Sequence, residues 1–334
     1  MKVLDYQPFI EDHFFIKNKY GEIVPFKFND VQQAYYDELD SDYPNWQGIR
    51  ENILKGRQFG LSSLITALFA TDFIASECGE IPIIDSDVYS HKDEETSAHI
   101  DRFNLFLNSY LIRSQGGKLE DMDNFSAINQ LRKAFLRIDN GGEIVSRKRG
   151  AQYHAQTASA KVSGRGGTKQ NIHWSEVAFY PNTEIMNAKK LVVGAEKQVP
   201  QDHGKIFRET TGNLAGDYFA KEYQDGKDRV SQFRSRFIAW YTYKAYSKIP
   251  LDDWMPPEYY QKLLVEGLAN KEQAYWHWLQ TKGLEDKEEL REYPTYDYEA
   301  FLYGGDPLFD QEALIYYTNQ VQKPMRKALY VQAL

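Results

Sequence analysis

Residues 54–63 read LKGRQFGLSS, a stretch with the makings of a loop that grips phosphate. A Walker A loop, or P-loop, reads G-x-x-x-x-G-K-[ST]. Its backbone N–H groups cradle the anion, its lysine reaches the β and γ oxygens, and its hydroxyl holds magnesium. Gly60 fits the last glycine and Ser62 the hydroxyl, with Ser63 as the substitute. Leu61 fills the lysine slot, and Lys55 fills the slot of the first glycine. The positive charge would then have moved upstream, to Lys55 or Arg57. On this reading Lys55, Gly56, Arg57, Gln58, Phe59, Gly60, Leu61, Ser62 and Ser63 line the nucleotide.

Two later stretches supply the rest of such a site. IHWSE (172–176) sets Glu176 at the end of an apolar run, where a P-loop ATPase needs a carboxylate to polarise water. The usual Walker B pattern ends in Asp-Glu; here Ser175 replaces the Asp. KIFRETTGN (205–213) ends in Thr210, Thr211, Gly212 and Asn213, small polar residues able to contact a γ-phosphate and sense its loss. Taken singly, each is an ordinary strand end or turn. All three in this order are much rarer.

The surrounding elements give these residues a place to stand. NIL (52–54) reads as a strand, and Ser62 to Cys78 as a buried helix, the strand–loop–helix context a P-loop requires. IPIID (81–85), EIVSRKR, AQYHAQT, NIHWSEVAFY (171–180), KIFRETTGN and QFRSRFIAWY (232–241) read as further strands. Helical spacing marks Asp30–Leu39, residues 94–113 and 127–138, TEIMNAKKLVVGA and GDYFAKEY. The alternation predicts an α/β fold with a mostly parallel sheet, whose ligands sit at the carboxyl ends of the strands. From 247 onward the chain turns helical, aromatic and acidic, with 12 acids against 5 bases over 251–299. The expected division is an ATPase core over 1–246 and a smaller, helical or mixed lid over 247–334.

Bulk properties narrow the classes. The chain has 334 residues and a net charge of −8, which argues against a protein that coats nucleic acid generally. One cysteine, Cys78, allows no internal disulfide and suits an intracellular setting. The acidic N-terminus is no signal peptide, and the apolar run 61–75 is too short and too polar to span a membrane. Charge is nevertheless segregated. Between Glu143 and Glu176 no acid occurs, while Arg147, Lys148, Arg149, Lys161, Arg165 and Lys169 do. This stretch is either a track for DNA phosphates or a solvated hairpin.

The chain resembles the ATPase portion of the large terminase subunit of tailed bacteriophages, the motor that packages DNA into a procapsid. The resemblance runs through FNDVQ (28–32), LKGRQFGLSS, GRGGTKQNIHWSEVAFYP (164–181), FRETTGN, FRSRFIAWY and REYPTYDYEAF (291–301). It implies a P-loop fold of the ASCE type, ATP as substrate and Mg2+ as cofactor. Lys55 would meet the phosphates and Arg57 would stabilise the transition state, in cis or in trans. Ser62 would ligate magnesium, with a weak place for Ser175; Glu176 would be the catalytic carboxylate. Thr211, Gly212 and Asn213 would couple phosphate release to movement. Gln32 either reads the adenine edge or is a solvated helix glutamine. Implied partners are double-stranded DNA, the portal protein, the small terminase subunit and further copies in a ring, with a monomer in isolation left open. The implied location is the host cytoplasm, transiently at the portal.

Full-length terminase large subunits add a nuclease domain whose metals sit among carboxylates. After Glu312 the chain has no Asp or Glu, so the ATPase half alone is expected, without nuclease activity. Two other readings share the nucleotide site: an assembly module with little turnover, and a helicase-like DNA remodeller.

Overall fold

The structure is a computed structural model, which describes residues 5–158, 167–181, 183, 187–213, 217–282, 284 and 291–301. Lys161, Arg165 and the acid-free tail after Glu312 lie outside the described residues.

The chain opens with α1 (Tyr6–His13), a hairpin of β1 (Phe15–Lys17) and β2 (Ile23–Pro25), and α2 (Asp30–Asp42). The first core unit is β3 (Ile49–Lys55), the glycine loop and α3 (Leu61–Cys78). Next come β4 (Asp85–Ser90), α4 (Asp93–Arg113), α5 (Phe125–Phe135), β5 (Leu136–Asp139), β6 (Glu143–Ser146) and β7 (Gln152–Thr157). β8 (Asn171–Ser175), α6 (Ala188–Glu196), β9 (Lys205–Thr210), α7 (Tyr218–Lys227) and β10 (Arg234–Ile238) complete the sheet. α8 (Glu258–Val265) and α9 (Lys271–Thr281) follow.

Eight strands form one sheet in the order β10-β3-β9-β8-β4-β7-β6-β5. From β10 to β7 every pairing is parallel; β6 and β5 close that edge as an antiparallel hairpin. β9 therefore lies between the loop strand β3 and β8, the strand that leads to Glu176. Because the strands are parallel, Lys55, Ser175 and Thr210 all end at one edge of the sheet.

Several strands are longer or more polar than their apolar signal, because buried charge is paired. All seven residues of β3 are buried, although only NIL stands out in sequence. Arg50 donates to the carbonyls of Ile49, Gly204 and Pro200, and Glu51 accepts from Arg236 and Tyr43. Paired in this way, the charged residues offset most of the cost of burial, although Arg50 Nε is buried without a partner. The same effect displaces β4. The apolar IPIID is not a strand, and Ile83 is 51% exposed. The strand is the polar DSDVYS, five of whose six residues are buried between β8 and β7. Likewise the helix expected over 127–138 starts at Phe125, capped by the Asn124 side chain, and ends at Phe135. Leu136–Asp139 leaves it to pair with β6.

α3 is the core helix. Among the described residues it is the one helix long and apolar enough to cross a membrane, but 83% of its apolar window is buried inside the protein. Length alone does not exclude a span; its packing against the sheet and α4 accounts for its apolar character instead. The buried cluster around α3 continues through Trp240 and Tyr246 to Trp254, Tyr260 and Tyr275, so the segment after 247 shares that core.

Candidate nucleotide site at the carboxyl edge of the sheet

The loop is held in place from several sides. Gln58 and Gly60 adopt left-handed backbone conformations (φ +58° and +75°). A Cβ on Gly60 would fall 2.7 Å from Gln32 Nε2, so glycine is required twice over, for conformation and for space. Phe59 is buried and packs its ring against Tyr243 and Tyr246. The Tyr246 hydroxyl donates to the Arg57 carbonyl, and Arg57 N–H donates to the Glu292 carbonyl (3.1 Å). At the start of α3, Ser63 and Leu64 N–H both return to the Gly60 carbonyl (3.1 Å). A helix leaves its first N–H groups without partners inside the helix, and its dipole there favours an anion.

Leu61 shows why the usual lysine slot is apolar. Its side chain is 1% exposed and belongs to the core around α3. Truncating such a leucine costs about 2–5 kcal/mol, and only its backbone remains for a ligand. The cation comes from the preceding strand. Lys55, the last residue of β3, places Nζ 3.1 Å from Glu176 Oε1 and 3.2 Å from Glu209 Oε1. Burial alone would lower the Lys55 ammonium; Glu176 and Glu209 outweigh it and hold it above its usual range.

Glu176 is aimed by its backbone. It follows β8 with φ +52° and ψ +46°, a left-handed conformation that costs a non-glycine residue about 1–2 kcal/mol. Its Oε2 accepts from Thr211 N–H (3.0 Å) and from the Thr210 and Thr211 hydroxyls (3.2 Å each). The expected coupling run thus touches the expected catalytic carboxylate directly. Gly212 then passes so close to the C-terminal segment that a Cβ would lie 2.1 Å from the Ala300 carbonyl oxygen. Asn213 Nδ2 donates to the Ala178 carbonyl (2.8 Å).

Residue types alone do not single out Glu209. It is fully buried in β9, accepts from Ser62 Oγ (2.6 Å) and lies 3.0 Å from His173 Nε2. Burial would raise its carboxyl; Lys55, His173 and the Ser62 hydroxyl outweigh that and hold it well below the usual carboxylate range. A signal exists: a glutamate directly before Thr-Thr-Gly, at the ligand end of a buried strand. Ser175 is buried and stands beside Glu209 in the β8–β9 ladder.

Three of the expected site residues already have partners inside the protein. Gln32 is 3% exposed, and its amide is committed inside the protein. Its oxygen accepts from Asn29 N–H (3.0 Å) and its Nε2 donates to the Gly60 carbonyl (2.7 Å), so it caps α2 and braces the loop. It is not a solvated helix glutamine. Lys169 places Nζ 2.8 Å from both Asp85 and Asp87, so its charge is already paired within the protein. Arg147 donates from Nε and Nη2 to the Lys133 and Leu136 carbonyls and stays exposed with its charge unpaired by any acid among the described residues. Lys148 and Arg149 remain exposed on the β6–β7 turn, their backbone N–H groups fixed by Glu77 (2.7 and 2.9 Å). This turn precedes β7, so it lies at the edge of the sheet opposite the nucleotide site.

No protein-family model matches the chain, and no curated protein matches it. Solved structures do. The HK97 bacteriophage large terminase superposes with a TM-score of 0.52 over 87% of the chain, at 10% identity. The chain spans 54% of that protein's length. The ATPase domain of the Thermus phage P74-26 large terminase follows with a TM-score of 0.44, 13% identity, 81% of this chain and 94% of that one. The large terminase of a thermophilic bacteriophage, solved in complex with ADP, gives 0.36 and 12% identity, covering 64% of this chain and 46% of its own. The fold is that of a phage large terminase: a mostly parallel sheet flanked by helices.

Proposed function

We propose that this chain, with the fold it shares with the HK97 large terminase, is the ATP-hydrolysing part of a motor that drives double-stranded DNA into a procapsid. The observation that carries the reading is the convergence of Lys55, Ser62, Glu176 and Thr211 at the carboxyl edge of the sheet, beside the open N-terminus of α3. In this reading the loop and Lys55 bind the phosphates of ATP. Glu176, held by Thr210, Thr211 and Lys55, orients and deprotonates the attacking water. Arg57, 59% exposed on its side chain and resting on Glu292, stabilises charge in the transition state in its own or a neighbouring site.

The donor set fits magnesium. Ser62 gives its only proton to Glu209, which leaves the lone pairs of its hydroxyl oxygen for a cation. Magnesium, when bound, supplies neutralising charge to the phosphoryl group being transferred. Loss of the γ-phosphate is felt by Thr211 and passed through Gly212 to the segment around Ala300, within the lid proposed over 247–334. Lys148 and Arg149 contact DNA phosphates without reading bases. The portal, the small terminase subunit and a ring of copies complete the proposed assembly.

The test is phosphate release with ATP and magnesium, for the chain alone and with DNA and portal added. Turnover abolished by Glu176→Gln, with nucleotide binding retained, is the expected result. Tight binding without turnover under all these conditions would make the chain an assembly module instead. Strand separation on a free duplex would make it a helicase-like remodeller.

A further inference from the structure

We infer that Glu209 does in this chain the metal-organising work that an aspartate at position 175 would do, positioning Ser62 from the strand between the loop and Glu176. The inference rests on the ATPase reading above and adds to it a residue and a role.

The first point is register. β8 and β9 are parallel neighbours, and Ser175 and Glu209 are ladder partners at the same level of the sheet. A carboxylate missing from one strand and a carboxylate present on the next therefore stand side by side, at the edge where the loop opens. β9 is also the immediate neighbour of β3, whereas β8 is one strand further away. Glu209 thus starts nearer the loop than residue 175 does.

Direct contact is the second point. Glu209 Oε1 accepts from Ser62 Oγ at 2.6 Å and lies 3.2 Å from Lys55 Nζ. A hydroxyl has one proton and two lone pairs. With its proton fixed on Glu209, Ser62 can offer a cation only its lone pairs, the orientation a ligand oxygen needs. Outer partners of this kind fix the direction and basicity of a metal ligand. Glu209 is itself held on its other oxygen by His173 Nε2 (3.0 Å), a fully buried ring, so it cannot swing away.

The third point is charge. Glu176 and Glu209 are two carboxylates sharing one ammonium, Lys55. When Lys55 turns to phosphate, both need another cation, and a divalent ion meets that need at the hydroxyl between loop and strand. A serine at 175 costs the site nothing in charge, because the neighbouring strand supplies it.

The test measures how magnesium changes the affinity of the full chain for a fluorescent ADP analogue, with fold checked by circular dichroism. In the wild type, magnesium should tighten binding. Glu209→Gln should reduce that magnesium-dependent gain, taken as the ratio of affinities with and without magnesium, by about 10–100-fold, the usual cost of losing an outer partner. Adding Ser175→Asp to Glu209→Gln should restore the gain. A folded Glu209→Gln protein that keeps the full gain overturns the inference. Loss without recovery in the double variant also overturns it, since the defect then belongs to the ion pair with Lys55. If Glu209→Gln does not fold, Glu209→Asp keeps the charge and withdraws it by one methylene. A reduced gain supports the inference, and an unchanged one overturns it. A wild type that binds no nucleotide at all overturns the ATPase reading instead.

Discussion

Lys55 Nζ stands 3.1 Å from Glu176 Oε1, so the cation expected to grip phosphate and the carboxylate expected to activate water are ion-paired. Neither is idle without substrate. Lys55→Ala should therefore do two things. Removing one partner of a buried ion pair costs about 3–5 kcal/mol, and Glu209 is left buried beside it. Nucleotide affinity should also fall, because the phosphates lose a charge-assisted donor. Denaturant melts separate the first effect from nucleotide titration of the folded fraction. Wild-type stability together with wild-type affinity would remove Lys55 from the site.

Arg57 should behave differently. Its side chain is mostly exposed and its partner Glu292 is only half-buried, so Arg57→Ala should change stability by no more than about 1 kcal/mol. Nucleotide binding should stay largely intact. Turnover should fall by roughly a thousandfold or more, as when an arginine acting on the transition state is removed. Mixing the variant with a Glu176→Gln protein distinguishes cis from trans: recovered turnover requires an arginine supplied by a neighbour.

The basic surface rests on fewer residues than the sequence suggests. Lys148→Ala with Arg149→Ala should weaken duplex binding about equally for all sequences. The log–log salt slope should flatten by roughly 0.9 for each DNA phosphate left without its cation. The turn should keep its shape, since Glu77 binds its backbone rather than these side chains. Basal ATPase should be unchanged. Unaltered packaging and salt sensitivity in a portal-assembled complex would send the DNA surface elsewhere.

His277 gives the structure a pH limit. Burial pushes its imidazole down from 6.5 to about 4, between the Trp240 ring, the Tyr260 hydroxyl and the Tyr293 carbonyl. Between these two values the unfolded chain takes up a proton that the folded chain refuses. Stability is therefore fully present above pH 6.5 and declines as pH falls toward 4, by up to about 3 kcal/mol from this group. Urea midpoints across that range, for wild type and His277→Phe, should converge at low pH if His277 is responsible.

Much of the site is legible in the sequence. The loop, Glu176 and the Thr-Thr-Gly run stand out by residue type and order, and their strands do meet at one edge. Glu209 does not stand out, because it looks like one more charge in a mixed strand. Its contacts with Ser62 and Lys55, at the level of Ser175 in the sheet, show that it faces the site. Gln32 and Lys169 carry partners that the sequence does not show. Sequence gives their donors but not the Gly60 carbonyl or the two aspartates that already occupy them. The polar strand β4 escapes notice because burial, not side-chain type, determines it.

α3 joins the two ends of this molecule. Its first turn borders the phosphate loop, and Glu77, near its last, holds the Lys148–Arg149 turn. Its 18 residues make a rod roughly 27 Å long at 1.5 Å per residue. Packed on nearly all sides, such a rod tilts as a unit or not at all. A tilt of about 5° at the loop would move the basic turn by roughly 2 Å over that length. In the proposed motor the helix would be a lever arm, and its stroke at the Lys148–Arg149 turn would scale with the number of turns between Ser62 and Glu77. Inserting one helical turn would lengthen the stroke; a flexible break in the middle would disconnect it.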